Sequence, residues 1–256
     1  MAIDYKKEGN IATFTINRPE RRNAIDTVAS QELREALLDF RDNPDLWVGV
    51  ITGTGDRAFC SGMDVGGGGG VPGKGPSPYE ALMAAYDLAA SIRKPMIAAV
   101  NGYALGGGLE LAIICDIRIA AENARFALPE VLLGMNAGAG GMQRVSRFIP
   151  RAIASWMILS GQQIDAQEAY RVGLINKVVP LDQLMSTAME WAGLICQAAP
   201  LATRIGKEII IRGYDMTLDQ AFQIQRDIAA RYPAPEDRIE GGKAFAEKRK
   251  PVWKGK

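Results

Sequence analysis

Two glutamates and three consecutive glycines form the part of this sequence best suited to chemistry. The glycines, residues 106–108, follow the apolar run 95–100, and Glu110 stands in the first turn of a predicted helix at 109–116. Glu130 comes later, directly after a proline. Glycines let a backbone approach a ligand closely, and a helix N-terminus presents N–H groups without intrahelical partners. Two nearby carboxylates can divide acid and base work. The pattern therefore indicates a site that stabilises an anion and moves protons.

Composition narrows the chemistry further. The 256 residues include no histidine, so histidine-dependent triads and histidine-ligated zinc are excluded. The three cysteines are widely spaced and fit no metal pattern. Two of them, Cys60 and Cys115, flank the predicted site, and we interpret both as buried structural thiols. Proton transfer is left to carboxylates, Lys, Tyr, Cys or water.

Charge and hydropathy bear on partners and location. A net charge of +1 gives no electrostatic reason to expect nucleic acid or an acidic membrane surface. The N-terminus lacks a signal-peptide core, and no uncharged apolar run reaches about 18 residues. We therefore expect a cytoplasmic protein with no membrane partner.

The elements around the glutamates alternate between strands and helices. Alternating or continuous apolar patterns predict strands at 11–17, 48–55, 58–62 and 95–100 and helices at 28–41 and 79–93. Asp26 or Thr27 is the predicted N-cap of the first helix. This alternation favours an α/β core with parallel strands.

From residue 140 onward the character changes to helical. Periodic patterns predict helices at 141–148, 152–159, 166–172, 181–198, 201–212 and 218–231, with one clear strand pattern at 175–179. Between the first strands and helix 79–93 lies the glycine- and proline-rich segment 65–78, for which no stable element is predicted. Two interpretations stay open for it: a lid over the site, mobile until ligand binds, or a slack surface loop.

Five segments resemble the crotonase superfamily, the enoyl-CoA hydratases and isomerases. They are NRPERRNAID (17–26), AFCSGMD (58–64), VNGYALGGGLELAIICDIRIA (100–120), FALPEVLLGMNAGAGGMQR (126–144) and FAEKRKPVW (245–253). The resemblance implies an α/β fold built as a spiral of ββα units. It also implies a division into a core at 1–198 and a C-terminal helical trimerisation or lid region at 199–256.

The resemblance also implies roles for individual residues. Glu110 and Glu130 match the two catalytic glutamates. The backbone N–H groups of Met63 and Gly107 match an oxyanion hole for a thioester oxygen. No metal and no cofactor are implied, because coenzyme A is part of the substrate.

Four further positions match substrate-binding residues of the family. Gly138 matches a backbone position close to the catalytic water, and Ala24 belongs to the segment that meets the CoA adenine region. Asp64, next to the predicted donor Met63, is placed with them. Lys248 matches a lysine that reaches a CoA phosphate, often on a neighbouring subunit.

The implied activity is hydration or dehydration of an α,β-unsaturated acyl-CoA, as in fatty acid metabolism, by a homotrimer or a dimer of trimers. An enoyl-CoA isomerase is the first alternative, although two glutamates favour a hydratase. The C-terminal segment and FALPE are also similar to the carnitinyl-CoA dehydratase branch. Leu128 and the pair at 136–137 depart from common hydratase residues and leave the acyl group open. A non-catalytic, RNA-binding member is disfavoured by the near-neutral charge.

Overall fold

The structure is a computed structural model that describes residues 1–64, 77–232 and 236–256. The glycine-rich segment 65–78, predicted as a lid or a slack loop, lies outside the described residues except for its last two positions. In the described part of the chain, no helix combines the length and apolar character needed to cross a bilayer.

Strands and helices alternate along the first half of the chain, as the patterns predict. The strands within the described ranges are β1 (Ile3–Glu8), β2 (Ile11–Ile16), β3 (Val48–Gly53), β4 (Ala58–Cys60), β5 (Met96–Val100), β6 (Tyr103–Leu105), β7 (Ile117–Ala121), β8 (Arg125–Ala127), β9 (Ile164–Asp165) and β10 (Lys177–Val179). The helices are α1 (Thr27–Asp42), α2 (Pro78–Ser91), α3 (Gly107–Ile114), α4 (Gly141–Phe148), α5 (Arg151–Ser160), α6 (Ala166–Arg171), α7 (Leu184–Cys196), α8 (Pro200–Gly213), α9 (Leu218–Ala230) and α10 (Glu236–Ala246).

Two sheets run side by side through the repeats. The larger has the order β1-β2-β3-β5-β7-β10 and the smaller has the order β4-β6-β8-β9. Each successive ββ pair, β3 with β4, β5 with β6 and β7 with β8, sends one strand to each sheet. A helix follows the first two pairs, namely α2 and α3. The predicted α/β spiral of ββα units with helices in its C-terminal part is thus confirmed.

Local sequence explains several element boundaries. The Asp26 side chain caps α1 by accepting from Ala29 N at 2.8 Å, so the predicted cap is confirmed. The glutamate-bearing helix begins at Gly107 and not at residue 109, because the glycine turn itself enters the helix. From residue 140 onward the two-residue strand β9 adds to the single predicted strand, and α10 adds to the predicted helices.

Candidate active site

The predicted site residues follow three neighbouring parallel strands. β4 pairs with β6 and β6 pairs with β8, all in parallel. Parallel strands end at the same edge of a sheet, so the segments that follow them meet there. Met63 follows β4, Gly107 follows β6 and Glu130 follows β8. The fold therefore brings to one edge what the sequence separates by dozens of residues.

Two backbone N–H groups lie side by side at this edge. Met63 forms a parallel bridge with Ile25. In this bridge the Ile25 N–H donates to Gly62 O at 2.8 Å, and the Asp64 N–H donates to Ile25 O at 3.0 Å. The N–H of Met63 itself therefore faces away from Ile25. Gly107 is the first residue of α3, where its N–H has no intrahelical acceptor. A Cβ added to Gly107 would lie 3.6 Å from Met63 N, so the two groups are neighbours.

Each glycine of the triplet satisfies a different structural requirement. Gly106 has a φ of +54°, a left-handed value that favours glycine. Gly107 places its backbone against the segment that carries Met63. A Cβ on Gly108 would lie 1.9 Å from Cys60 O, so α3 can approach β4 only with glycine there.

Glu110 is buried beside the loop that precedes α4. Glu110 is 3% exposed, and its Oε1 accepts a hydrogen bond from Gly141 N at 2.8 Å. Burial raises the pKa of Glu110. Hydrogen bonds from the Gly141 and Ala139 backbones and the charge of Arg144 oppose that rise. Glu110 therefore combines a desolvated carboxylate with groups that favour its ionised form.

Glu130 lies opposite the glycine turn. It stands in a short 3-10 helix, Pro129–Leu133, and its Oε1 lies 2.8 Å from the position that a Cβ on Gly106 would take. Burial raises the pKa of Glu130. The negative charge of Glu110 raises it further, while a backbone hydrogen bond lowers it. Within the described ranges its buried Oε2 has no hydrogen-bond partner. A buried carboxylate oxygen without a protein partner is a common mark of a functional position.

We expect Glu130→Gln to stabilise the protein at neutral pH. The pKa of folded Glu130 is raised above its unfolded value of about 4.3. The folded state therefore binds this proton more tightly. The stability that this tighter proton binding adds to the folded state is fully present below the unfolded pKa. It is lost as pH rises through the folded pKa. Glutamine stays neutral at every pH and avoids that loss.

Thermal unfolding of both proteins, from about pH 4 to about pH 8, measures this stability effect. The Tm of Glu130→Gln should exceed that of the wild type near neutral pH, by about 2–4 °C for each kcal/mol. The difference should shrink as pH falls. A difference that grows on acidification would contradict the raised pKa.

The loop before α4 brings Gly138 to the same region. A Cβ on Gly138 would lie 2.6 Å from the Tyr79 hydroxyl, at the start of α2. Three residues on, Gly141 donates to Glu110, and Arg144 holds the loop by donating to Ala139 O at 2.8 Å. Gly138 thus lies in the same loop as the backbone N–H that binds Glu110.

A shallow open cleft adjoins Glu130. Its walls are mostly apolar, and the residues that line it are Leu128, Glu130, Val131, Met135, Asn136, Ala137, Met142 and Ile158. Leu128 and the pair at 136–137, which depart from common hydratase residues, thus contribute to the wall beside this carboxylate.

Ala24 and Asp64 are brought together by an arginine that the sequence analysis missed. The Arg18 guanidinium donates to Ala24 O and to the Asp64 carboxylate, the latter at 3.1 Å, and it also pairs with Asp26 at 2.8 Å. Arg18 lies inside the NRPERRNAID segment, so its position was visible in the sequence, but its partners were not.

Lys248 lies apart from these residues. It is exposed at the end of α10 with a φ of +54°, and its N–H donates to Phe245 O at 3.2 Å. Among the described residues, no hydrogen bond or ion pair joins its side chain to the glutamates or to Ala24. Cys60 and Cys115 are buried, as interpreted from the sequence. Burial raises the pKa of each thiol to about 12, so both stay protonated.

Comparison with known proteins assigns the chain to a family. Residues 6–256 match the family model described as enoyl-CoA hydratase/isomerase. Carnitinyl-CoA dehydratases of Citrobacter koseri and Salmonella typhi are each 42% identical over 263 aligned residues, which cover 100% of this chain and 99% of each relative. The chain therefore belongs to the enoyl-CoA hydratase/isomerase family, the crotonase superfamily.

Solved structures give the same result for the fold. The enoyl-CoA hydratase of Bacillus anthracis superposes with a TM-score of 0.91 at 32% identity, covering 100% of both chains. The enoyl-CoA hydratase of Mycobacterium tuberculosis H37Rv superposes with a TM-score of 0.90 at 34% identity, covering 100% of this chain and 99% of that one. The spiral architecture is therefore shared along the whole chain.

Proposed function

We propose that this protein hydrates α,β-unsaturated acyl-CoA thioesters, or dehydrates the corresponding hydroxyacyl-CoA, as a lyase. The observation that carries the proposal is the placement of two glutamates, Glu110 buried and Glu130 half-buried, beside two neighbouring backbone N–H groups at one sheet edge. Coenzyme A enters as part of the substrate, and the proposal needs no metal or further cofactor. Family membership and the similarity to hydratases and dehydratases support it.

The proposed oxyanion hole consists of the Met63 and Gly107 N–H groups. Addition of water to the β-carbon moves charge onto the thioester oxygen and creates an enolate. Two preorganised donors stabilise that charge, and losing one such donor typically costs about 3–4 kcal/mol of barrier. The N-terminus of α3 adds its dipole in the same sense.

The two glutamates divide the proton transfers. Hydrogen bonds from Gly141 and Ala139 favour ionised Glu110, so we assign it as the base that takes a proton from water. The charge of Glu110 opposes ionisation of Glu130, so we assign Glu130 as the acid that protonates the α-carbon. Gly138, in the loop that meets Glu110, is proposed to hold the attacking water through its backbone.

The CoA moiety is proposed to bind along the segment held by Arg18. Ala24 and Asp64 lie there and continue from the oxyanion donor Met63. Lys248 is proposed to reach a CoA phosphate from a neighbouring subunit. Large apolar side chains remain exposed on the single chain, among them Leu132, Trp156 and Leu159. Such exposure supports self-association of the chain. We propose a homotrimer or dimer of trimers in the cytoplasm, with residues 199–256 as the trimerisation or lid region.

One assay tests the proposed reaction and selects the acyl group. Hydration removes the conjugation of an enoyl-CoA, so its near-ultraviolet absorbance falls. Short, long, branched, aromatic and trimethylammonium-bearing enoyl-CoAs would be compared by kcat/KM. The best turnover on the trimethylammonium substrate would favour a carnitinyl-CoA dehydratase activity, which the 42% identical relatives support. Double-bond migration without hydration would favour the isomerase, and no turnover on any substrate would contradict the proposal.

We expect Met63→Leu to be mild, because the proposed donor is the Met63 backbone and leucine keeps that N–H. The change in kcat/KM should stay well below the loss of about 10²–10³-fold that follows removal of an oxyanion donor. Volume-conserving swaps between Met and Leu usually cost less than about 1.5 kcal/mol of stability, so the fold should be kept. Steady-state kinetics on the best substrate measure it. A loss near that of a missing oxyanion donor would show that the side chain, not the amide, carries the role.

A further inference from the structure

Tyr86 is a buried polar residue that the proposed reaction leaves without a role. It lies on α2, is 1% exposed, and its hydroxyl donates to Gly107 O at 2.9 Å. The same hydroxyl lies 3.6 Å from the position that a Cβ on Gly107 would take. A tyrosine buried this deeply retains its hydroxyl at a cost unless the hydroxyl is hydrogen-bonded. Its bond reaches the residue whose N–H is a proposed oxyanion donor.

The second contact of Tyr86 reaches the other donor segment. The Cys60 thiol is a neighbour of the Tyr86 hydroxyl and contributes to raising the pKa of that hydroxyl. Cys60 Sγ in turn accepts from Gly62 N at 3.3 Å. Gly62 directly precedes Met63, and a Cβ on Gly62 would lie 3.0 Å from Gly107 N. Tyr86 therefore stands between the two segments that carry the donors: its hydroxyl donates to Gly107 O of one segment and adjoins the Cys60 thiol of the other.

Both donor segments need such an external constraint. Gly62 has a φ of +94° and Gly106 a φ of +54°, and glycine is the residue with the largest conformational freedom to lose. Oxyanion donors act only when they are held close to the productive geometry. Burial raises the pKa of Tyr86 well above its usual value, and the nearby Cys60 and Glu110 raise it further. The hydroxyl therefore keeps its proton and donates throughout the working pH range.

We propose that Tyr86 is a positioning residue that fixes the relative placement of the Met63 and Gly107 N–H groups through its hydroxyl. The inference rests on the proposed oxyanion hole but adds to it a hydroxyl from a different helix. Tyr86 touches no reacting atom in this role. It acts through the Gly107 carbonyl on one side and through Cys60 on the other.

Tyr86→Phe removes the hydroxyl and keeps the ring in the core. We expect kcat to fall about tenfold to a hundredfold with KM nearly unchanged, because small misplacements of catalytic groups cost about that much. A bound cinnamoyl-CoA with an electron-donating para substituent gives a second readout. Polarisation of its carbonyl by two donors shifts its absorption to longer wavelength, and Tyr86→Phe should reduce that shift. A purely structural loss would lower Tm without changing the spectrum of the bound thioester.

The matched control is Tyr5→Phe. Tyr5 also donates its hydroxyl to one partner, Asp39 Oδ2, at 2.7 Å, but it lies on the edge strand β1, away from the site. Its kcat and bound spectrum should equal those of the wild type. If Tyr86→Phe does not fold, Cys60→Ala removes the other end of the same network and should reduce the spectral shift in its place.

The outcomes separate this inference from the proposed function. A wild-type protein that binds the chromophore without any red shift would remove the oxyanion hole itself. A red shift in the wild type that stays unchanged in Tyr86→Phe, together with an unchanged kcat, would overturn the role of Tyr86 alone. A double variant with Cys60→Ala should lose less than the product of the two single losses, because both act in one network.

Discussion

Glu110→Gln and Glu130→Gln should each lower hydration about 10²–10⁴-fold while the chain stays folded. General acid–base catalysis by a positioned carboxylate contributes about that range. Glutamine has nearly the shape of glutamate, and its oxygen can still accept from Gly141 N in place of Glu110. What it cannot do is take up or release the proton. The loss should therefore appear in kcat, while the thermal transition is retained and, for Glu130→Gln, moves to higher temperature near neutral pH.

Absorbance assays on the best enoyl-CoA, with thermal unfolding in parallel, measure this effect. Glu122→Gln is a suitable control because that glutamate is exposed in the turn after β7. Near-normal hydration by either active-site variant would show that the two-glutamate mechanism is wrong. Hydration lost in Glu130→Gln with double-bond migration retained would instead point to isomerase chemistry at Glu110.

Gly107→Pro should abolish turnover. Proline has no backbone N–H, so the variant lacks one of the two proposed oxyanion donors. That loss alone corresponds to a decrease in kcat of about 10²–10³-fold. The position is the first residue of α3, where proline is the best tolerated within a helix. The helix should therefore still form.

Gly107→Ala separates lost chemistry from crowding. Alanine keeps the N–H and adds the Cβ, which would lie 3.3 Å from Gly62 Cα and 3.6 Å from Met63 N. It should lose much less activity than the proline variant. Steady-state kinetics and circular dichroism on both variants test the assignment. Equal losses in the two would attribute the effect to crowding, and substantial activity in Gly107→Pro would remove Gly107 from the oxyanion hole.

The alternation of strands and helices was readable from the sequence because core strands are apolar throughout. β3 and β5 are buried at every position, and their patterns predicted them. β1 was not predicted, since four of its six residues are charged: Asp4, Lys6, Lys7 and Glu8. Among the described strands it lies at the edge of its sheet and pairs with β2 alone, where charge is tolerated and discourages further pairing.

The site was predictable as far as local pattern and resemblance reach. The glycine triplet and Glu110 lie within one turn, and Glu130 is only twenty residues away, so their meeting follows from two successive repeats of the spiral, β5-β6-α3 and β7-β8. Arg18 and Tyr86 were missed because their contacts are made in three dimensions. Arg18 reaches Asp64 over 46 positions, and the Tyr86 bond links α2 to α3 across 21. The sequence around Tyr86 does not distinguish it from a tyrosine that only packs in the core.

The close approach of α3 to β4 determines which substitutions the chain can accept at two adjacent glycines. At Gly108 any side chain would collide with the Cys60 carbonyl, whereas at Gly107 a methyl group would meet only ordinary or slightly tight contacts. A screen that selects for soluble protein alone should therefore recover no substitutions at Gly108 but should recover small residues at Gly107. A screen that selects for turnover should also eliminate the substitutions at Gly107 that remove or displace its backbone N–H. Two adjacent glycines would thus be conserved for different reasons: Gly108 because the fold requires it, and Gly107 because the reaction requires its backbone N–H.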